Sequence, residues 1–258
     1  MNRRIPNLSR VFQAGAYGRP NGGPWTPLAI SSLVAWADPN FYAYSDAGST
    51  AAVHGGDLYR LACRYPNQTY YAENATAGGR TYGVGANGKA YFTTNGASND
   101  FRLTIPSTAL TAGEIWVMWK RTGTFNGDLI FRARRVSSGN PILECYDGAG
   151  TGTSAVARSR DNSGSLNQTA VTNVGTSWQT VAARYTGAAT KILTNNVERQ
   201  TVAQTGTITI DVIGIGCEGF SAASPSDGVF GHLLVFNANL STADATNLQT
   251  YLEAEYPT

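Results

Sequence analysis

Along most of this chain apolar residues come in short runs, and between the runs stand clusters of Gly, Asn, Ser and Thr. Runs of roughly 4–8 residues bounded by turn formers predict β-strands. They fall at Leu33 to Ala37, Leu58 to Arg64, Lys89 to Thr94, Asp100 to Ile105, Asp128 to Arg134, Pro141 to Tyr146, Ser154 to Arg160, Trp178 to Tyr185, Lys191 to Thr194 and Thr207 to Ile215. The strongest interior strand is Ile115-Trp116-Val117-Met118-Trp119. Alternation puts Ile115, Val117 and Trp119 on one face and Trp116 and Met118 on the other, so both faces are apolar and both should be covered. Turn signals recur about every dozen residues, the spacing of a β-sandwich and not of βαβ units.

Residues 228–256 organise the rest. Val229 to Phe236 is apolar at nearly every position, which predicts a strand buried on both sides. A helix follows over 242–255. Ser241 can cap it, with Asp244 three positions on, and Ala245, Leu248 and Leu252 form its apolar stripe, widened by Tyr251. Glu253 and Glu255 stand in the last turn, where the macrodipole disfavours acids. The helix therefore rests on its cap and its stripe.

Composition narrows the class. The 258 residues fit one large all-β domain, and a 42% hydrophobic content supplies a sizeable core. Charged residues are only 14%, against a usual value of about 25%. With 29 glycines, this implies many tight turns and a weakly charged polar surface, suited to life outside a cell or on a particle. A net charge of +2 gives no nucleic-acid signal. Cys63, Cys145 and Cys217 form no Cys-x-x-Cys pair and read as buried, reduced, small hydrophobes, so maturation in a reducing compartment is expected. Met1-Asn-Arg-Arg4 resembles the start of a signal peptide, but Pro6, Asn7 and Arg10 interrupt the apolar segment that should follow. No signal peptide and no membrane insertion are expected, and the Asn-x-Ser/Thr sequons are chance in an Asn- and Thr-rich chain.

Two segments result: an extended basic N-terminal arm, residues 1–30, and a sandwich, residues 31–258. The arm carries Arg3, Arg4, Arg10 and Arg19, and the first acid of the chain is Asp38. Its prolines and glycines exclude a regular helix or central strand. It reads either as a frayed tail or strap on the sandwich, or as an anchor held on an acidic neighbouring protein by its arginines with Phe12, Tyr17 and Trp25. Four arginines are too few to argue for nucleic acid.

Three stretches carry a family resemblance. Gly228-x-x-x-x-Leu233-Leu234-Val235-Phe236-Asn237, then Leu240-Ser241, then Leu248-x-x-Tyr251-Leu252-x-x-x-Tyr256 resembles the C-terminal signature of concanavalin A-like lectin/glucanase (laminin-G-like) domains. Ser32 to Asp38 resembles the family's first strand, and Trp178 to Tyr185 with Lys191 to Val197 its central hairpin. The resemblance implies an all-β, two-sheet antiparallel jelly-roll sandwich with one C-terminal helix. His232 departs from the pattern, where relatives carry an acid or alanine. Asn195-Asn196 replaces the more usual Asn-Gly of a hairpin turn, which Asn tolerates.

Glucanases of this family carry paired carboxylates at alternate positions of one strand. Here the only Glu-x-Glu, Glu253/Glu255, is on the helix, and Glu144 and Asp147 stand three apart at a strand end. There is no Gly-x-Ser-x-Gly, His54 and His232 lack a nucleophile partner, and the glycines of Gly83 to Gly88 lack the Lys-Ser/Thr of a phosphate loop. No enzyme activity and no cofactor are expected. Relatives often hold calcium at a rim; Asp147-Gly and Asp161-Asn162 could offer oxygens, but turn chemistry also explains them. For sugars, the resemblance points to aromatic rings among amides: Tyr65, Tyr70, Tyr71 and Tyr82 are the candidates, with half-buried packing as the alternative role.

The leading expectation is a non-catalytic structural or adhesive module of an assembled particle. The resemblance makes this a bacteriophage virion protein, a capsid decoration or fibre, assembled in the host cytoplasm and anchored to a capsid or neighbouring subunit by its arm. A cell-surface glycan and a second copy of the chain are further partners. The alternatives are a free-standing carbohydrate-binding, lectin-like protein, and a glycan hydrolase or lyase with an atypical site.

Overall fold

The computed structural model describes residues 25–65, 70–74, 80–95, 101–122, 129–137, 142–147, 154–170, 172–216 and 227–257. In chain order the strands are β1 (Leu33–Ala37), β2 (Ala43–Tyr44), β3 (Arg60–Tyr65), β4 (Tyr71–Asn74), β5 (Arg80–Val84), β6 (Ala90–Asn95), β7 (Phe101–Leu110), β8 (Gly113–Arg121) and β9 (Leu129–Arg134). They continue as β10 (Ile142–Asp147), β11 (Ser154–Arg160), β12 (Leu166–Gln168), β13 (Thr172–Asn173), β14 (Gln179–Tyr185), β15 (Ala189–Thr194), β16 (Val197–Ala203), β17 (Ile208–Ile215) and β18 (Asp227–Phe236). One helix, α1 (Thr242–Glu255), follows. The chain is all-β and antiparallel with a C-terminal helix, as its periodicity predicts.

Two hydrogen-bonded rows of strands enclose the core. One runs β16–β15–β14–β8–β18, with β1 and β6 lying end to end along the free side of β18. The other runs β2–β3–β4–β7–β17–β9–β10–β11, closed by β12 and β13 on β11. The expectation of two separate sheets needs correcting, because all the strands belong to one continuous, barrel-like sheet. The joint is β3. Its residues Arg60 to Ala62 pair with β4 in the second row, while Cys63 and Tyr65 pair with β1 in the first. A register shift between Trp36 and Ala37 lets this one strand serve both rows.

The principal core fills the space between the rows. Ile115, Val117, Trp119, Val181, Leu233 and Val235 face Leu61, Leu103, Phe131, Leu143 and Ile213 across it. A second apolar layer covers the back of the first row, where Trp36, Trp116, Met118, Leu234 and Phe236 meet Ala245, Leu248 and Leu252 of α1. Strands β8 and β18 are thus covered on both sides, which is why neither shows polar alternation. Cys63 and Cys145 lie reduced in the principal core; burial pushes the Cys63 thiol up to about 12. Cys217 lies outside the described residues.

Helix α1 is held at both ends. Ser241 Oγ accepts from the Asp244 amide at 3.1 Å, the predicted cap. In the last turn Glu255 pairs with Lys89 at 2.7 Å and Glu253 accepts from Gln249 at 2.9 Å, which offsets the unfavourable placement of acids there. The approach to the helix is fixed by Glu114, fully buried. It accepts from Leu240 N and Trp116 Nε1, each at 2.7 Å, and pairs with Arg184 at 2.7 Å. The hairpin between β15 and β16 turns on Asn195 and Asn196, both left-handed at φ of 49° and 59°.

Strand β18 changes partner midway. Up to Phe230 it pairs with β6, and from Leu233 it pairs with β1. Opposite β8, Trp119 meets Phe230 and Val117 meets Leu233, so the bulge contains one extra residue at Gly231-His232. A Cβ on Gly231 would stand 2.7 Å from two ring carbons of Tyr256. Gly231→Ala should therefore displace Tyr256, loosen the end of α1 and destabilise the fold by about 1–3 kcal/mol; urea unfolding monitored by tryptophan fluorescence measures it, and an unchanged midpoint would contradict this packing.

Candidate functional site

Alternation along the second row of strands sorts its side chains into two parallel lines. The inner line runs Ala43, Leu61, Ala72, Leu103, Ile213, Ala133, Leu143 and Ser159 across β2, β3, β4, β7, β17, β9, β10 and β11. One residue along each strand lies the outer line: Tyr44, Arg60, Glu73, Arg102, Gly214, Arg132, Glu144 and Arg158, ending on Gln168 of β12. Successive residues on a strand point to opposite faces, so an apolar inner line requires the outer line to face away from the core.

The outer line is an ion-pair ladder. Arg60 pairs with Glu73 at 2.9 Å. Glu144, fully buried at the floor of the face, is gripped by Arg132 on one side and by Arg158 at 3.2 Å on the other. A second outward line runs beside it, with Thr104, Val212, Arg134, Ile142, Arg160 and Leu166 in register. Among the described residues the face therefore carries six arginines, the two glutamates of the ladder and Asp211 of β17, whose Oδ1 accepts from the Val136 amide at 2.7 Å. Arg-Ala-Arg in β9 and Arg-Ser-Arg in β11 are the alternations that signal it in the sequence.

Aromatic rings frame both ends of this surface. At one end Tyr42 and Tyr44 stack with centroids 6.3 Å apart and planes 13° from parallel, and the Arg60 guanidinium lies 4.3 Å over the Tyr71 ring. At the other, Arg158 lies 4.4 Å over Tyr146, whose hydroxyl bonds Gln168 at 3.0 Å. All four tyrosines are half-buried. Half-exposed rings beside amides and guanidinium groups can stack on an apolar ring face and bond hydroxyl or carboxylate groups.

Of the four tyrosines singled out by sequence, Tyr71 lies on this face. Tyr70 and Tyr82 pack against the principal core, and Tyr65 against the helix-side layer. The four do not meet in one place. Among the arm residues, Arg3, Arg4, Arg10, Phe12, Tyr17 and Arg19 lie outside the described residues. Trp25 packs edge-on against Tyr251 of α1, centroids 6.2 Å apart. Asp161 Oδ1 accepts from Ser163 Oγ and from the amides of Ser163 and Ser165, bonds that hold its carboxyl below the usual range and shape its own turn. Among the described residues no group of three His, Cys, Asp or Glu is gathered as metal ligands.

His232 occupies the bulge of β18, wholly buried, with the rings of Trp36, Tyr251 and Tyr256 centred 5.5–5.9 Å away. Its Nδ1 lies 3.2 Å from Trp36 Nε1 and 3.3 Å from Asp38 Oδ1, and a neutral ring serves one of them at a time. Burial lowers the His232 pKa and keeps the ring neutral. For Asp38, burial pulls upward, but His232, the Asn40 amide and Arg64 outweigh it and hold the carboxyl below its ordinary value. Asn40 also accepts from the Ala90 amide at 2.6 Å, so the polar seam joins the ends of β1 and β6 where β18 leaves one for the other. Its Nε2 is buried without a hydrogen-bond partner, so the ring is held by aromatic packing and by the contacts of Nδ1 alone.

No family model matches the chain, and no curated protein matches it in sequence. Solved structures share its fold. The binding domain of botulinum neurotoxin serotype G superposes with a TM-score of 0.56 at 10% identity, over 82% of this chain and 50% of that one. Domain 4 of AbnA, an extracellular arabinanase from Geobacillus stearothermophilus, in complex with arabinotriose, gives 0.56 at 15% identity, over 84% and 98%. A Trypanosoma rangeli sialidase in complex with 2,3-difluorosialic acid gives 0.57 at 10% identity, over 89% and 34%. The chain thus spans half of the toxin domain, a third of the sialidase and nearly all of the arabinanase domain. At these identities the likeness is one of fold alone, an antiparallel all-β domain.

Two tests follow from the buried charges. Glu144→Ala leaves Arg132 and Arg158 facing each other without their carboxylate and should cost about 3 kcal/mol, the scale for breaking a buried pair from one side; chemical denaturation reads it. For pH, the unfolded chain takes up a proton at His232 near 6.5 while the folded chain resists until lower pH, so stability falls as pH drops below 6.5. Asp38 adds a second loss as pH falls through 3.8 toward its depressed folded value. Thermal melts from pH 8 to 3 should show both limbs, and His232→Gln should flatten the upper one even if it lowers the melting temperature throughout.

Proposed function

We propose that this chain is a non-catalytic carbohydrate-binding module of concanavalin A-like type, its strands joined in one barrel-like sheet, and that the outward face of the second row is its contact surface. The observation that carries this reading is the joint presentation of Tyr44, Tyr71 and Tyr146 with a line of hydrogen-bonding side chains, interrupted at Gly214, on one sheet face. Fold likeness supports it: one similar domain is described with arabinotriose bound, and another, from botulinum neurotoxin serotype D (TM-score 0.55, 11% identity), with N-acetylneuraminic acid. The acids do not favour hydrolysis. Glu144 is locked between two arginines, and Glu253 and Glu255 are tied to Gln249 and Lys89 on the far side of the first row.

The particle reading drew on the basic arm, and residues 1–24 lie outside the described residues. The glycan reading draws on described side chains and on fold likeness to domains with bound saccharides, so it takes precedence. A glycan array followed by isothermal titration should identify a saccharide ligand, and Tyr44→Ala or Tyr71→Ala should weaken it by about 1–2 kcal/mol per lost stacking surface while the melting temperature is held. Absence of binding across neutral and acidic panels, or full binding by both variants, would refute it.

A further inference from the structure

Strand β11 carries Arg158 and Arg160 on its outward side, two residues and so about 7 Å apart. Their cross-strand neighbours differ. Arg158 stands between Glu144 of β10 and Gln168 of β12, whereas Arg160 stands between Ile142 and Leu166. Arg158 pairs with Glu144 at 3.2 Å and lies over the Tyr146 ring. Ile142 and Leu166 are aliphatic and can accept nothing from Arg160, whose Nε–H is buried without an acceptor. A buried donor left in that state is costly, and an outside acceptor is what would satisfy it.

The acids of the region are committed elsewhere. Glu144 serves Arg132 and Arg158, and Asp211 accepts from the Val136 amide. Asp161, next after Arg160 in the chain, is held by Ser163 and Ser165 of its own turn. Arg160 is half-buried, and beside it Leu166 is 44% exposed, a large apolar side chain left open to solvent. Two positions along β12, Gln168 is exposed as well. Its carbonyl oxygen accepts from the Tyr146 hydroxyl at 3.0 Å, which leaves its amide NH2 to serve another acceptor.

We propose that Arg160, Leu166 and Gln168 form a subsite for one sugar unit bearing an anionic substituent, a carboxylate or a sulfate ester. Arg160 takes the anion, Leu166 lies against the apolar face of the ring, and Gln168 donates to a hydroxyl. The inference rests on the carbohydrate-binding reading above and adds the ligand class and its point of contact. A guanidinium presents its donors as a planar fork that matches two oxygens of one anion. Leu166 and Gln168 are about 7 Å apart on one side of β12, so the apolar and amide contacts fall within the reach of a single substituted ring.

The test uses the full chain and three oligosaccharide sets of equal length: uronate-containing, sulfated and neutral. At least one acidic set should bind about tenfold more tightly than the neutral set, the effect of a hydrogen bond to a charged group. That margin should shrink as salt rises. A margin confined to the uronate set assigns the substituent as carboxylate, and one confined to the sulfated set assigns it as sulfate; either supports the subsite. Arg160→Gln should bring the ratio of acidic to neutral affinity down to near one, with thermal melts reporting an intact fold. Leu166→Glu places a carboxylate opposite Arg160 on the adjacent strand, occupies the guanidinium from within and should abolish the same margin. Its exposed position keeps the test valid even where the first variant folds poorly.

Equal affinity for acidic and neutral sets, or a margin unchanged in both variants, would overturn the inference while leaving the glycan reading standing. Binding of no set would remove the glycan reading and the inference with it. A DNA duplex of matched charge that bound as tightly as the acidic sugars would show a generic polyanion surface and also overturn it.

Discussion

The second row of strands depends on phase. From β2 to β11 an apolar line and a charged line run side by side, one residue apart on each strand. A slip of one residue in β3, β4, β7, β9 or β10 would drive an arginine or glutamate into the core and expose an aliphatic side chain to water. Burying one unpaired charge costs far more than any single pairing gains, so the register is held by what the alternative would bury as much as by hydrogen bonds. The same phase creates the surface. Arginines arrive in line across the sheet because the apolar residues beside them must arrive in line beneath it.

Strand β18 resolves a different conflict. It must lie against β8 along its whole length, yet its other side meets β6 and β1 in turn. The bulge at Gly231-His232 absorbs the change of partner, and the backbone polar groups between β1 and β6 are satisfied by Asn40, Asp38 and the Tyr256 hydroxyl, which bonds Ala90 O. Helix α1 closes over this seam, so the terminal helix covers a polar junction as well as an apolar strip. A buried histidine there accepts from Trp36 Nε1, and its neutrality ties the stability of the seam to pH.

Legibility differed from element to element for physical reasons. The helix was readable because a cap, an acidic partner and a 3.6-residue stripe coincide in one short segment. Ile115 to Trp119 was readable because apolar alternation on both faces has one explanation, cover on both sides, and the two cores supply it. The joint at β3 was not readable: Arg60 to Tyr65 looks like any half-buried strand, and its double pairing depends on a register shift in β1. The tyrosines mislead for a similar reason. Tyr65, Tyr70, Tyr71 and Tyr82 are close in sequence and alike in type, but strand parity and the β3 joint send them to different layers.

By itself, the sequence determined the all-β class, the places of the longer strands, the capped helix and the reduced, buried state of Cys63 and Cys145, since each follows from local periodicity, capping or cysteine spacing. Only the tertiary structure decided which arginines stand together. Arg60, Arg102, Arg132 and Arg158 are separated by up to 98 positions in the chain, while each stands two strand spacings from the next in space. Their alignment, and the place of Gly214 among them, arises from long-range register, and register is a property of strand pairing that no local stretch of sequence contains.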